Sequence, residues 1–298
     1  MNLLITGAWP SAKEYIPRIE SMGHHVCFLQ QEKDDLPCDL DWVEGIICNG
    51  LFLYHPIKQF TKLRYIQLTS AGYDRVPMDY VQEHGIEINN ARGVYSIPMA
   101  EFAVAGVLSI YKELGRFHDQ QKEHRWEKSR NLRELNGKIV VILGCGSVGT
   151  ECAKRFKAFG CTVIGVDIIP REDTNYDAVR PISGLDDLLH TADILLLTLP
   201  LTKETRGIIN ESRLNGLKKD AVLVNIARGA IIDREALEAW NGYAVLDVFE
   251  DEPLPESSSL WTKENMIITP HISFIGDKNE LRLSKQIINN LEDGNIDV

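Results

Sequence analysis

Three residues in the second half of the sequence have the side chains that reduction of a 2-oxo acid requires. Arg228 ends the stretch VLVNIAR, Glu252 lies in the acidic run VFEDEP, and His271 lies in IITPHIS. An arginine donates two parallel hydrogen bonds to one carboxylate, and an imidazole exchanges a proton near neutral pH. A carboxylate beside that imidazole stabilises its protonated form. Together the three groups can anchor a substrate carboxylate and protonate the neighbouring carbonyl oxygen.

Each of the three residues has a more ordinary explanation when it is taken alone. Arg228 can belong to a surface ion pair, the acids at 250–252 to a solvated loop, and His271 to a structural hydrogen bond. Each residue, however, follows a short apolar segment that we predict to be a β-strand. Because ligands of open α/β sheets bind at the carboxyl ends of the strands, we expect the three side chains to face one crevice.

A glycine-rich segment predicts the site of a dinucleotide cofactor. Gly144, Gly146 and Gly149 follow the predicted strand Ile139–Leu143 in the pattern G-x-G-x-x-G, and a predicted helix comes next. The first glycine allows a tight turn, the second lets the backbone approach a pyrophosphate, and the third allows close packing of the helix on the strand. The N-terminus of the helix offers free N–H groups to the phosphates.

Asp167 ends the next predicted strand, at about the distance from the glycines where a ribose-binding acid is expected. A carboxylate there accepts hydrogen bonds from the ribose hydroxyls and repels a 2′-phosphate, so we predict NAD rather than NADP. Arg171 lies nearby and weakens this preference, because a guanidinium can bind a phosphate. A glycine-rich turn that binds no ligand is the alternative interpretation.

The elements that must position these groups form two successive α/β arrays. Short apolar strands that alternate with helices predict parallel sheets with both faces buried. The strands predicted in the first array are Asn2–Thr6, His25–Leu29, Gly45–Cys48, Tyr65–Thr69 and Ile86–Asn89. Those predicted in the second array are Ile139–Leu143, Thr162–Asp167, Ile194–Thr198, Ala221–Asn225, Ala244–Asp247 and Met266–Thr269.

One long helix is predicted between the two arrays, over Pro98–Gln120. Proline suits the first turn of a helix, because the N–H groups of that turn have no hydrogen-bond partner within the helix. Apolar residues lie around most of this helix, which indicates burial on more than one side, against a second domain or a second subunit. We therefore expect a homodimer.

Length and composition exclude several classes of protein. The 298 residues, 44% hydrophobic and 25% charged, are typical of a globular protein of one or two domains. A net charge of −11 disfavours binding to nucleic acid or to an anionic membrane surface. The N-terminus predicts a strand rather than a signal peptide, and no apolar stretch is long enough to span a membrane. Six cysteines without a CxxC pair indicate reduced thiols in a cytoplasmic protein and no metal site.

Taken together, these motifs make the sequence resemble the D-isomer-specific 2-hydroxyacid dehydrogenase family. The resemblance rests on LGCGSVG with Asp167, VNIARGAIID, LDVFEDEP and TPHIS, and more loosely on LTSAGYDRV in the first array. It implies an α/β fold of two doubly wound parallel-sheet domains with a cleft between them. Residues 1–95 and 274–298 would form a flavodoxin-like substrate domain, and residues 96–273 a Rossmann NAD-binding domain.

The resemblance also implies a role for each candidate residue. Arg228 would bind the substrate carboxylate, and His271 would be the general acid in reduction and the general base in oxidation. Glu252 would hydrogen-bond His271, and Asp247 would orient the nicotinamide carboxamide. The other predicted cofactor contacts are Gly144, Gly146, Ser147, Val148, Gly149, Asp167, Leu199, Pro200, Thr205, Ile226 and Ala227. The predicted substrate contacts are Ala71, Gly72 and Tyr73, whose loop would present N–H groups, and Phe52, which would line an apolar pocket.

The reaction that the resemblance implies is hydride transfer between NAD(H) and a small 2-oxo or D-2-hydroxy acid. Glyoxylate, hydroxypyruvate and 3-phosphoglycerate are candidate substrates. The apolar residues 51–53 favour an uncharged substrate, whereas Arg75 leaves a phosphorylated one open. A non-enzymatic NAD-sensing protein of the co-repressor kind is the alternative on the same scaffold. Such a protein can retain all three residues, so measured turnover distinguishes the two.

Overall fold

The computed structural model describes residues 1–293, which divide into two compact units. The first unit comprises Met1–Tyr95 and the segment that starts at Gly276, and the second comprises Ser96–Ile275. Residues 294–298, which we assigned to the first domain as part of 274–298, lie outside the described residues.

The helices and strands alternate along most of the chain. Up to the end of the first sheet the order is β1 (Asn2–Thr6), α1 (Ala12–Ser21), β2 (His25–Leu29), β3 (Gly45–Cys48), β4 (Tyr65–Leu68), α2 (Met78–Glu83) and β5 (Glu87–Asn89). The chain continues with α3 (Ser96–Tyr111), α4 (Leu114–Lys122), β6 (Ile139–Leu143), α5 (Ser147–Ala158), β7 (Thr162–Asp167), β8 (Ala178–Pro181), α6 (Leu185–Leu189) and β9 (Ile194–Leu197). The last elements are α7 (Glu211–Asn215), β10 (Val222–Asn225), α8 (Arg234–Ala239), β11 (Tyr243–Leu246), β12 (Met266–Ile268) and α9 (Asn279–Asp293).

The first unit contains a parallel sheet with the strand order β2-β1-β3-β4-β5. This is the order of flavodoxin-like doubly wound sheets. Strands β3 and β4 are buried along their whole length, as expected where helices cover both faces of a sheet. Helix α9 packs against α1 on one of these faces, so the end of the described chain completes the unit that the start of the chain began.

The second unit contains a parallel sheet with the strand order β12-β11-β10-β9-β6-β7-β8. Its first six strands in chain order have the arrangement of a Rossmann fold. Successive strands are added toward one edge of the sheet from β6 to β8 and toward the other edge from β9 onward, so the strand order switches between β6 and β9. Ligands of such sheets bind at the carboxyl ends of the strands beside this switch point. The fold class predicted from the sequence is therefore confirmed for both sheets.

All eleven predicted strands occur, with ends within one residue of those expected, but the single helix predicted over Pro98–Gln120 is wrong. Two helices replace it, α3 and α4, because Glu113 between them adopts a left-handed backbone conformation with φ of 51°. The sequence analysis also missed β8, an edge strand that ends in a proline.

Candidate active site

The glycine-rich turn lies at the switch point of the second sheet and depends on its glycines for steric reasons. Gly144 has a φ of 105°, and a Cβ there would lie 2.8 Å from the amide nitrogen of Leu199 at the end of β9. A Cβ at Gly149 would lie 2.1 Å from the carbonyl oxygen of Gly144. The turn therefore packs against both β9 and α5 only because side chains are missing at these two positions.

Gly146 differs from the other two glycines because it has space around it. Among the described residues, no heavy atom outside its chain neighbours lies within 4 Å of the position that a Cβ would take. Gly146 also precedes the first turn of α5, where it has no side chain to cap the N–H groups of Ser147, Val148 and Gly149. A pyrophosphate can approach the backbone here and meet the N-terminal end of the helix.

Asp167 lies beside this turn, as a ribose-binding acid must. Its Oδ2 atom accepts a hydrogen bond of 2.7 Å from the Cys145 N–H, and its Oδ1 atom accepts a longer one from Ile169 N–H. The carboxylate is thus fixed at the end of β7, next to the glycine-rich turn, with hydrogen-bonding capacity left on Oδ1. Glycine turn, helix N-terminus and acid together fit an adenine dinucleotide.

The other predicted cofactor contacts lie in the turns after β9 and β10. Leu199, Ile226 and Ala227 are buried, and Pro200 is exposed. Thr205, also predicted as a cofactor contact, shapes the turn after β9 with its buried side chain. Its hydroxyl donates to the carbonyl oxygen of Pro200 and accepts the Thr202 N–H, both at 2.7 Å.

His271 and Glu252 form a hydrogen-bonded pair at the carboxyl edge of the same sheet. The Nδ1 atom of His271 lies 2.8 Å from Oε2 of Glu252, while Oε1 of Glu252 accepts the Phe249 N–H at 2.9 Å. The side chains of His271 and Glu252 are 40% and 36% exposed, so both are open to solvent on one side. Because Nδ1 faces the carboxylate, Nε2 is the atom that can exchange a proton with a substrate.

The three neighbouring acids have separate partners and do not form a purely solvated loop. Glu250 pairs with Arg206 at 2.9 Å and Asp251 pairs with Arg234 at 2.6 Å, which leaves Glu252 as the acid that contacts the imidazole.

Asp247, predicted to orient the nicotinamide carboxamide, also shapes the turn that carries His271. Its side chain is fully buried at the end of β11 and accepts hydrogen bonds from Ile272 N–H and Ser273 N–H, both at 2.9 Å. The Thr269 hydroxyl donates a third, at 2.6 Å. These bonds fix the turn around His271, whose backbone has a φ of 52°, and so they set the direction of the imidazole. These hydrogen bonds were not predictable from the sequence, because they depend on the shape of the turn.

Arg228 follows β10 on a loop that the buried Asn225 shapes. The Asn225 side chain accepts the Ala227 N–H at 3.1 Å and donates to the carbonyl oxygen of Arg228 at 3.0 Å. The guanidinium of Arg228 donates to the carbonyl oxygen of Ala227 and is partly buried. Strands β10, β11 and β12 are neighbours in the sheet, so Arg228, Asp247 and His271 follow adjacent strand ends.

In the first unit, the predicted substrate loop follows β4. Ala71 and Tyr73 are exposed, and the carbonyl oxygen of Ala71 accepts a hydrogen bond from the Asn90 side chain at 2.6 Å. Gly72 lies between them, its carbonyl oxygen bonded to the Ser70 hydroxyl at 3.1 Å. These positions leave the loop accessible, and its contact with a substrate stays a prediction.

The contact of Phe52 with the substrate stays a prediction. The residue is 9% exposed, and its ring packs edge-on against Phe60 in the core of the first unit, with ring centroids 6.4 Å apart. Leu53, the next residue, is the exposed one. The apolar run at 51–53 forms a short helical turn, which directs neighbouring side chains to different sides, and the sequence does not show which side faces the core.

Within residues 1–293, no group of three or more His, Cys, Asp or Glu side chains has a geometry that could hold a metal ion. No helix in that range is long and apolar enough to cross a membrane.

Comparisons with known proteins agree with this geometry. Residues 104–273 match the NAD-binding domain of D-isomer-specific 2-hydroxyacid dehydrogenases. A glyoxylate reductase from Thermofilum pendens is 34% identical over 94% of this chain and 82% of its own. A D-3-phosphoglycerate dehydrogenase from Methanocaldococcus jannaschii is 36% identical over 72% of this chain and 42% of its own. A D-lactate dehydrogenase from Aquifex aeolicus, crystallised with NAD and lactic acid, is 27% identical with a TM-score of 0.78, over 99% of this chain and 96% of that one.

Proposed function

The chain belongs to the family of D-isomer-specific 2-hydroxyacid dehydrogenases, and from this premise we propose that Arg228, Glu252 and His271 carry out its reaction. The protein is an NAD-dependent oxidoreductase that acts on a small 2-oxo or D-2-hydroxy acid. The matches support this enzyme and not the non-enzymatic NAD sensor that the sequence left as an alternative.

The observation that carries the assignment of roles is the hydrogen bond of 2.8 Å between His271 Nδ1 and Glu252 Oε2. Held in this way, the imidazole gives the proton on Nε2 to the carbonyl oxygen of the substrate during reduction and takes it back during oxidation. Glu252 keeps the imidazole in one orientation and stabilises its charged form. Arg228 binds the substrate carboxylate with two parallel hydrogen bonds and draws electron density from the adjacent carbonyl group.

Bound NADH supplies the hydride that reaches the carbonyl carbon. The residues that hold the cofactor are those of the glycine-rich turn, Gly144–Gly149, with Asp167 at the ribose. We propose that Asp167 favours NADH over NADPH, because its carboxylate repels a 2′-phosphate. The loop Ala71–Tyr73 stays our candidate for further N–H donors to the substrate carboxylate.

We propose glyoxylate and hydroxypyruvate as the first substrates to test, with 3-phosphoglycerate as the second candidate. The support is the likeness to glyoxylate reductases and to D-3-phosphoglycerate dehydrogenases. Oxidation of NADH and of NADPH is to be followed at 340 nm with glyoxylate, hydroxypyruvate and pyruvate, and reduction of NAD with D-3-phosphoglycerate. Turnover of at least one acid with NADH, lowered at least about 100-fold in His271→Gln, supports the proposal. A kcat close to that of the wild type in this variant refutes the role of His271.

We also propose that the protein is a cytoplasmic homodimer. Trp126 is 96% exposed in a non-helical segment after α4. An indole in full contact with water favours burial against a second copy. Light scattering at micromolar concentration should give twice the chain mass of 33.6 kDa, and Trp126→Ser should weaken the dimer. A wild-type monomer contradicts the proposal.

A further inference from the structure

Gly229, the residue after Arg228, is in direct backbone contact with the loop that carries Glu252. We call residues 249–252 the acid loop. A Cβ added to Gly229 would lie 1.9 Å from the carbonyl carbon of Phe249 and 2.2 Å from the amide nitrogen of Glu250, whereas real Cβ atoms keep at least 3.0 Å from such neighbours. The φ of Gly229 lies outside the left-handed region, so the need for glycine here is steric.

We propose that Gly229 is a positioning residue for proton transfer: its contact with the Phe249–Glu250 peptide holds the acid loop where Glu252 reaches His271. The proposal rests on the function proposed above, because it takes His271 as the proton donor.

The contact is linked to the imidazole by two hydrogen bonds. The Phe249 N–H, next to the contacted peptide, donates to Oε1 of Glu252 at 2.9 Å, and Oε2 of the same carboxylate lies 2.8 Å from Nδ1 of His271. A shift of the Phe249–Glu250 peptide therefore removes one of the two anchors of the Glu252 carboxylate.

A side chain at position 229 would move the acid loop rather than the loop of Arg228. The loop of Arg228 is tied down by bonds from Gly207 N–H to the carbonyl oxygen of Ala230 and from Ile209 N–H to that of Ile231. Ala230 and Ile231 are buried, whereas residues 250–252 are exposed. We therefore expect the exposed acid loop to move, because fewer contacts hold it in place.

The two ion pairs of the acid loop are the competing explanation for its position. Arg206–Glu250 and Arg234–Asp251 join side chains that are each about half-exposed, and such pairs contribute little in water. We therefore assign the positioning to the backbone contact. Removing both ion pairs tests this choice directly.

The experiment compares Gly229→Ala with Gly115→Ala, a matched control at an exposed helical glycine whose added Cβ would meet no atom of the described residues within 4 Å. The split between kcat and KM for 2-oxo acid reduction is the main measurement. With Glu252 loosened, the imidazole is no longer held in one orientation. The kcat of Gly229→Ala should fall about tenfold, whereas the kcat of Gly115→Ala should equal that of the wild type.

Two binding constants and two further proteins separate positioning from general damage. The KM for the oxo acid and the Kd for NADH, from protein fluorescence, should change less than about threefold in Gly229→Ala, because Arg228 and the glycine-rich turn stay in place. Arg206→Gln/Arg234→Gln should keep the wild-type kcat. Phenyllactate at position 249, incorporated through an amber codon, replaces the Phe249 N–H by an ester oxygen. It should lower kcat as Gly229→Ala does.

A folded Gly229→Ala protein with a wild-type kcat overturns the proposal, and so does an equal fall in kcat in the ion-pair variant. If Gly229→Ala does not fold, a wild-type kcat in the phenyllactate protein overturns it. If the wild type reduces no 2-oxo acid, the proposed function fails instead. The Nδ1 proton resonance of His271 then tests the contact alone: it should move upfield in Gly229→Ala, and an unchanged resonance overturns the proposal.

Discussion

His271 and Glu252 are 19 residues apart in the chain, yet their side chains meet at 2.8 Å between Nδ1 and Oε2. The residues follow neighbouring strands, β12 and β11, whose carboxyl ends share one edge of the sheet. Parallel strand pairing thus brings together a proton-exchanging group and its stabilising carboxylate from separate parts of the sequence.

We expect His271→Gln to lower kcat for reduction by about 10²–10⁴-fold, because the substrate oxygen then loses its proton donor. Binding of NADH should stay within about threefold of the wild type, since the glycine-rich turn lies after a different strand. Steady-state kinetics and fluorescence titration with NADH measure the two effects. A kcat within a factor of five of the wild type would show that another group protonates the substrate.

Asp247→Asn should lower kcat about tenfold or more while the Kd for NADH stays nearly constant. The amide cannot accept from Ile272 N–H, Ser273 N–H and Thr269 in the way that the carboxylate does, so the turn that carries His271 loosens. We also expect a loss of about 2 kcal/mol in the free energy of unfolding. A large rise in the Kd for NADH with little change in kcat would instead support the cofactor contact first predicted from the sequence.

Asp193 should make stability depend on pH in the acid range. Burial opposes its ionisation, but the Ile139 N–H and the Lys218 ammonium outweigh burial and hold the pKa of its carboxyl below the ordinary value. The native state therefore binds fewer protons than the unfolded state in acid, and the stabilisation present above about pH 4 is lost as the pH falls further.

Asp193→Asn should accordingly lower the free energy of unfolding by about 1–2 kcal/mol at pH 7 and by much less near pH 3. Urea titrations at the two pH values measure this difference. Asp187→Asn, at an exposed position on α6, is the matched control and should change little at either pH. A pH-independent loss in Asp193→Asn would show that packing, not charge, is responsible.

Cys145 should resist alkylation although it lies in the glycine-rich turn. Burial, assisted by the nearby Asp167 carboxylate, raises the pKa of its thiol to about 11. At pH 7.5 less than about 0.1% is thiolate, the form that reacts with iodoacetamide. Mass spectrometry should find this peptide labelled far more slowly than N-acetylcysteine in the same tube. Rapid labelling that NADH prevents would contradict this account of the turn.

The side chains that directly follow strands were predictable from the sequence, whereas the contacts that turns make were not. Strands β1–β7 and β9–β12 are apolar segments between helices, and residue pattern alone identifies them. Strand β8 pairs on one side only and so needs no continuous apolar run. The break between helices α3 and α4 comes from the left-handed backbone of Glu113. This conformation is uncommon for a glutamate, so the residue type does not predict it.

The same limit applies to the candidate site. Arg228, Glu252 and His271 were predictable because each side chain follows a strand. The hydrogen bonds to Asp247 and the backbone contact of Gly229 were not predictable, because both depend on how turns far apart in the sequence approach one another. The burial of Phe52 and the exposure of Leu53 were not predictable either, because a short apolar run does not show which of its side chains faces the core.

Transfer of deuterium from NADH to substrate tests whether this chain is a D-specific dehydrogenase that depends on Arg228 and His271. The wild-type protein is to be incubated with NADH deuterated at both C4 positions and with pyruvate or hydroxypyruvate. We expect a 2-hydroxy acid of D configuration that carries one deuterium at C2, formed at least about 100-fold more slowly by Arg228→Gln or His271→Gln. A product of L configuration, a product without deuterium at C2, or full activity in either variant would contradict this expectation.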